Sequence, residues 1–125
     1  MAEDRISVKL EIKDPKLKSQ FETALRKVGG FNVQGPSSTG RSELLIFELG
    51  DEFEREFNFI QDVMGSGEVG EVFLASDNSD PAVLRRAIRV GAREFFNTPI
   101  EDEEIKLAIE GFKGRKEKRS VRCID

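Results

Sequence analysis

The sequence has no histidine, no tryptophan and no tyrosine, and a single cysteine among 125 residues. Without histidine, the chain has no imidazole to act as a general base, nucleophile or metal ligand. The lone thiol, Cys123, closes no internal disulfide. Far down a charged tail it cannot build a thiolate metal site. A cytoplasmic setting is therefore the expectation. No apolar run approaches the ~18 residues of a membrane span. The opening MAEDRISVKL begins with the acidic Glu3 and Asp4 and has no apolar core, so it does not read as a secretory signal.

The length suits one domain with a single core. Charge is uneven along the chain. The net charge is −4, but residues 113–125 (KGRKEKRSVRCID) carry six basic and two acidic residues, which leaves −8 on the rest. An acidic body argues against duplex nucleic acid as the main partner. The basic tail reads as a solvated interdomain linker. The expected organisation is a domain over 1–112 and a linker over 113–125 leading to a further domain.

The patterning alternates strand with helix. RISVKLEI (5–12) alternates as a strand, and Asp14-Pro15 supplies a cap and a proline for the first turn of a helix. Leu17, Phe21, Leu25 and Val28 share its face, Gly29-Gly30 end it, and Phe31–Gln34 is a short second strand. ELLIFEL (43–49) is a buried-type strand. The next helix opens at Asp51 and Glu52, with Phe53, Phe57, Ile60 and Met64 inward. Val72–Ser76 follows as a strand. Asp80-Pro81 then repeats the cap signature, with Leu84, Ala87, Ile88 and Gly91 sharing a face. Glu94–Asn97 is the last strand, and a final helix runs from about Glu101 to Phe112.

This order predicts an α/β fold: a flavodoxin-like three-layer sandwich around a five-stranded parallel sheet of order 2-1-3-4-5. Eight loop residues, GPSSTGRS (35–42), separate strands two and three. They cannot hold a helix, so the second helix of a full sandwich is expected to be absent or reduced.

Two glycine motifs look like phosphate chemistry and fail on context. GPSSTGRS lacks the lysine of a P-loop and precedes a strand, where the cradle needs a helix N-terminus. GSGEVG (65–70) fits G-x-G-x-x-G but leaves a helix and enters a strand, the reverse of a dinucleotide fingerprint. The carboxylate runs at 51–56 and 101–104 read as solvated helix faces rather than acid–base pairs.

EVFLASDNSDPAVLRRAIRVGAREFFNTP (71–99) resembles the closing βαβ unit of a response-regulator receiver domain, and the resemblance extends over about residues 5–112. Ser76 stands at the hydroxyl position that ends strand four, Phe95 at the aromatic position of strand five, and Thr98-Pro99 at the Lys-Pro position. Glu48 replaces the phospho-accepting aspartate. The metal-binding acidic pair falls on Ile12 and Lys13, or in a register shifted by one residue on Lys13 and Asp14. Neither register restores the pair. The resemblance therefore implies a degenerate pocket in which Glu48 pairs with Lys13, with no metal, cofactor or catalytic residue.

Among receivers, the sequence is similar to the N-terminal domain of pilus-assembly ATPases of the TadZ/CpaE type, which join an atypical receiver to a ParA/MinD-like ATPase. The implied role is a non-catalytic, phosphorylation-independent interaction domain that localises or oligomerises such an ATPase. The alternatives are a receiver that is phosphorylated despite its pocket, at Asp51 for instance, and a small flavodoxin-like cofactor binder. The implied contact face comprises the fourth helix, fifth strand and fifth helix of the receiver pattern. Basic Arg85, Arg89 and Arg93 there lie near acidic Glu101, Asp102 and Glu104, a charge pattern that suits weak homodimerisation.

Overall fold

A computed structural model describes residues 6–34 and 41–122; beyond residue 116 only the helical backbone is described. The elements are β1 (Ile6–Glu11), α1 (Pro15–Val28), β2 (Phe31–Gln34), β3 (Ser42–Glu48), α2 (Phe53–Ser66), β4 (Val69–Ser76), α3 (Pro81–Arg89), β5 (Glu94–Asn97) and α4 (Asp102–Arg122). All strand pairs are parallel, and the sheet order is β2-β1-β3-β4-β5. This is the expected flavodoxin-like sandwich.

Local chemistry starts and stops the helices where the sequence indicates. Asp14 accepts from the Lys16 N–H at 3.0 Å and Asp80 from the Ala82 N–H at 3.0 Å, each ahead of a proline in the first turn. α1 stops at Gly29 and Gly30, whose φ values of 83° and 88° suit residues without a Cβ. GSGEVG is the end of α2, a left-handed Gly67 cap and the start of β4. It is thus a helix-to-strand connection.

Strand alternation fills two cores. Val8, Leu10, Leu44, Ile46, Phe73, Ala75 and Phe96 face α1 and α4. Leu45, Val72 and Leu74 face α2 and α3. A row of rings crosses the first core. Phe21 and Phe73 each meet Phe96 edge-on, at 5.7 and 6.0 Å, and Phe73 meets Phe112 at 6.2 Å. Phe112 in turn stacks on Phe31 at 6.2 Å.

On the α2 side, β1 and β2 present Ser7, Lys9, Glu11, Asn32 and Gln34, all polar. Only seven residues join β2 to β3, of which 35–40 lie outside the described residues. No described helix covers this half of the face. A parallel sheet buried on both faces would need apolar residues there. The polar alternation of β1 and the short connection are two signs of the same missing helix.

Four boundaries or faces differ from expectation. β4 begins at Val69, because Val69 pairs with Ser42 at the foot of β3. In α2, Val63 is buried and Met64 only half-buried. In α3 the inward residues are Val83 and Ala87, whereas Leu84 is 43% and Ile88 65% exposed. The helix is apolar on both stripes. Arg86, beside the inward Val83–Ala87 stripe, pairs with Glu54 of α2 at 2.8 Å and sits 5.0 Å over the Phe57 ring, contacts that accompany this rotation.

The fourth difference is the length of α4. Ile105, Ala108, Ile109 and Phe112 face inward as expected, but the helix continues to Arg122. Lys113 donates to the Gly29 carbonyl at 2.9 Å and Arg115 pairs with Glu71 of β4 at 2.8 Å. Lys116 pairs with Glu43 of β3, which also holds Arg41. The basic residues of this segment thus neutralise carboxylates at the foot of the acidic sheet. Cys123 lies outside the described residues.

The ring row predicts that Phe73→Ala costs about 3–5 kcal/mol in denaturant unfolding. Ile88→Ser, at an exposed position, should stay within about 0.5 kcal/mol. The Lys116 ammonium, with Arg41 beside it, holds the Glu43 carboxyl below its ordinary 4.5. Its contribution is therefore complete above about pH 4.5 and disappears as pH falls through the lower folded value. Stability curves of the parent and Glu43→Gln should converge in that acid range and separate above it.

Candidate functional site

The residues singled out by the sequence gather at the C-terminal ends of the central strands, where open α/β sheets place their sites. Sheet register sets Glu48 opposite Ala75 and Ser76 opposite Asn97. Lys13 and Asp14 follow β1 in the turn leading to α1.

Glu48 is the centre of this end. Its Oε1 accepts from the backbone N–H of Lys13 at 2.7 Å and of Asp14 at 3.0 Å. The expected pairing with Lys13 is therefore made to the amide; among the described residues no ion pair joins the Lys13 ammonium to Glu48. The extra methylene of Glu lets the carboxylate reach into the turn. Hydrogen bonds to a charged acceptor contribute about 1.5–3 kcal/mol each when sheltered, and less in this partly exposed turn.

The neighbouring acids are also engaged. Asp14 caps α1. Both carboxylate oxygens of Glu56 accept from the Gly50 N–H, at 2.9 and 3.0 Å. This bond ties the loop before α2 back onto the helix, whose N-cap residue Glu52 makes no side-chain cap bond. The Lys13 ammonium lies on the same side of Gly50: a Cβ built there would be 2.9 Å from Glu56 Oε2 and 3.5 Å from Lys13 Nζ. Lys13, Glu56, Glu11, Phe47 and Phe59 help line a groove of about 370 Å³ beside the site.

The hydroxyl side is tied down as well. Ser76 is buried, and its Oγ accepts from the Asn78 N–H at 3.0 Å. Its carbonyl accepts from the Thr98 N–H at 3.0 Å. Thr98 is half-buried and the Thr98-Pro99 bond is cis. Phe95 is half-buried against the α2–α3 core. Asp51 is exposed beyond β3.

A divalent ion here would need several carboxylate or carbonyl oxygens with open lone pairs. The residues present fit it poorly: one oxygen each of Glu48 and Asp14 is taken by backbone amides, and Lys13 brings an ammonium to the same turn. Among the described residues no three acidic or cysteine side chains converge in a metal-binding arrangement.

No protein-family model matches the sequence, and no curated protein matches it. Solved structures do match. A response regulator from Thermotoga maritima superposes with a TM-score of 0.74 at 15% identity, over 86% of this chain and 97% of that one. The chain has the receiver fold. The neighbours include a protein described as CpaE2, a pilus assembly protein of Sinorhizobium meliloti, with TM-score 0.68, 13% identity, and 86% and 99% of the two chains covered. They also include a pilus assembly-related protein of Burkholderia pseudomallei, with TM-score 0.69, 15% identity, and 87% and 90% covered. At these identities the likeness establishes architecture, and the site must be judged on its own residues.

The second group singled out by the sequence lies on α3, β5 and α4, which correspond to the fourth helix, fifth strand and fifth helix of the receiver pattern. Arg85, Arg89, Arg93, Glu101, Asp102 and Glu104 are all exposed. Asp102 accepts from Gln20 at 2.9 Å; among the described residues none of the six is in an ion pair within 4 Å. The structure adds Leu84 and Ile88, which the sequence pattern had placed inward. The roles of Glu56, Glu71 and Glu43 also escape the sequence, because nothing in a carboxylate's local context names its distant partner.

Glu48→Ala leaves the Lys13 and Asp14 amides without a protein acceptor. The expected loss is about 1–2 kcal/mol, with Glu48→Gln intermediate because it keeps the acceptor and loses the charge. Chemical denaturation checks both.

Proposed function

We propose that this chain is a receiver-like interaction domain that works without phosphorylation or catalysis. In the full protein it would localise or oligomerise a ParA/MinD-like pilus-assembly ATPase. The observation that carries the reading is the Glu48 carboxylate, whose Oε1 is tied to two backbone amides where a phospho-acceptor would need a metal and an open face. Lys13 supports it by placing positive charge where magnesium ligands are required, and Thr98 by offering no ammonium to a phosphoryl group. The pilus-assembly proteins among the structural neighbours support the ATPase partner. No helix among the described residues is long and apolar enough to cross a membrane, in keeping with a cytoplasmic site of action.

Contacts would then be made by the α3–β5–α4 face. Arg85, Arg89, Arg93, Glu101, Asp102 and Glu104 there have no ion-pair partners among the described residues, and Leu84, Ile88 and Leu107 (59% exposed) add apolar area. Opposite charges on one face can meet their complements in a second copy across a two-fold axis. A second reading, a phosphorylatable receiver, is favoured by the exposed Asp51 and by the buried Ser76 at the hydroxyl position.

Incubation with acetyl phosphate and Mg²⁺ followed by intact-mass measurement separates the two. The expected mass is unchanged; an added phosphoryl group at Asp51 or Glu48 overturns the proposal. Sedimentation at low salt should show reversible association that disperses near 1 M salt, where the screening length is about 3 Å. Arg89→Glu should weaken that association.

A further inference from the structure

The opposite edge of the sheet offers a different surface. Among the described residues β2 pairs only with β1, so no described strand meets the backbone N–H and C=O groups of its outer side. Edge strands usually discourage pairing with charge, proline or a bulge. β2 reads Phe-Asn-Val-Gln and has none of these, and Val33 is 41% exposed. β5, at the other edge, carries Glu94 within the strand.

Beside β2 lies a groove of about 410 Å³ whose lining includes Leu25, Phe31, Val33, Glu22 and Arg26. Glu22 and Arg26 are one turn apart on α1 and both reach this groove. Among the described residues neither has an ion-pair partner within 4 Å. α1 runs antiparallel to β2, so Arg26 lies near the Gly29-Gly30 end of the groove and Glu22 further toward the other end.

We infer that β2 is a homotypic docking edge: a second copy of this chain pairs its own β2 antiparallel to the first and extends the sheet across a two-fold axis. Antiparallel pairing with side chains kept to their faces sets Val33 opposite Val33 or Phe31 of the second copy, closing the apolar groove. The same axis reverses α1. Glu22 of each copy then faces Arg26 of the other, and both charges that lack partners within one chain are matched. With strands about 4.8 Å apart, the two α1 helices come about one helix diameter from each other, within reach of these side chains. The occupant is therefore specified by charge: a two-fold copy presents one cation and one anion in the reversed order that the rim requires.

This contact is independent of the α3–β5–α4 face. The two lie on opposite edges of one sheet, and two two-fold contacts so placed build an open chain of subunits rather than a closed dimer.

The test uses the full chain carrying Ile88→Glu and Arg89→Glu, which remove the α3 contribution. At millimolar concentration and low salt, sedimentation should show a reversible dimer. Val33→Lys should weaken it at least tenfold while leaving the circular dichroism spectrum and melting curve unchanged. Glu22→Arg and Arg26→Glu, each added alone, should give monomers, and an equimolar mixture of the two should recover a heterodimer. A monomeric background protein, or a mixture that stays monomeric, overturns the inference. Either result would leave the α3–β5–α4 reading to be judged by its own variants.

Discussion

The structure is organised around one row of phenylalanine rings. Phe21 of α1, Phe96 of β5, Phe73 of β4, Phe112 of α4 and Phe31 of β2 touch in sequence across one face of the sheet. These contacts fasten both outer strands and both helices of that face to β4, next to the central strand β3. With ten phenylalanines and no tryptophan or tyrosine, the chain builds its aromatic core without a ring hydroxyl or indole N–H to satisfy. Because that face carries the packing, the other can be half bare: α2 and α3 cover β3 to β5, while β1 and β2 meet polar surroundings.

Upon this frame, carboxylates serve as fasteners. Glu48 secures the turn before α1, Glu56 the turn before α2, and Asp14 and Asp80 start their helices. Each accepts from backbone N–H groups that would otherwise have to find water. A cluster of acids at the C-terminal end of a sheet looks reactive in a sequence. In the fold each of these four has an oxygen engaged by a backbone N–H, a structural role that residue letters alone do not show.

The fold was legible to the extent that it rests on local signals. Asp-Pro starts, glycine stops and alternating strands place eight of the nine elements within a few residues of their observed ends, and the seven-residue connection disclosed the missing helix. α4 was the exception, because its basic extension has no inward apolar stripe and is held by Glu43, Glu71 and the Gly29 carbonyl, all distant in sequence. The rotation of α3 was hidden for a related reason. Val83 and Leu84 are both apolar, and which of them turns inward depends on the packing against α2, a helix distant in sequence that Arg86 also reaches through Glu54 and Phe57. At the site, the sequence marked Glu48 and Lys13 as an anomaly but took the ammonium for the partner, since residue letters name side chains and not the amides between them.

β3 is held at both ends by charge. At its foot Glu43 grips Lys116 in the outer part of α4, and at its head Glu48 grips the turn that begins α1. Its neighbours β1 and β4 pair along it on either side. One strand thus ties the foot of the sheet, where α4 closes against it, to the turn at the opposite end that carries Lys13.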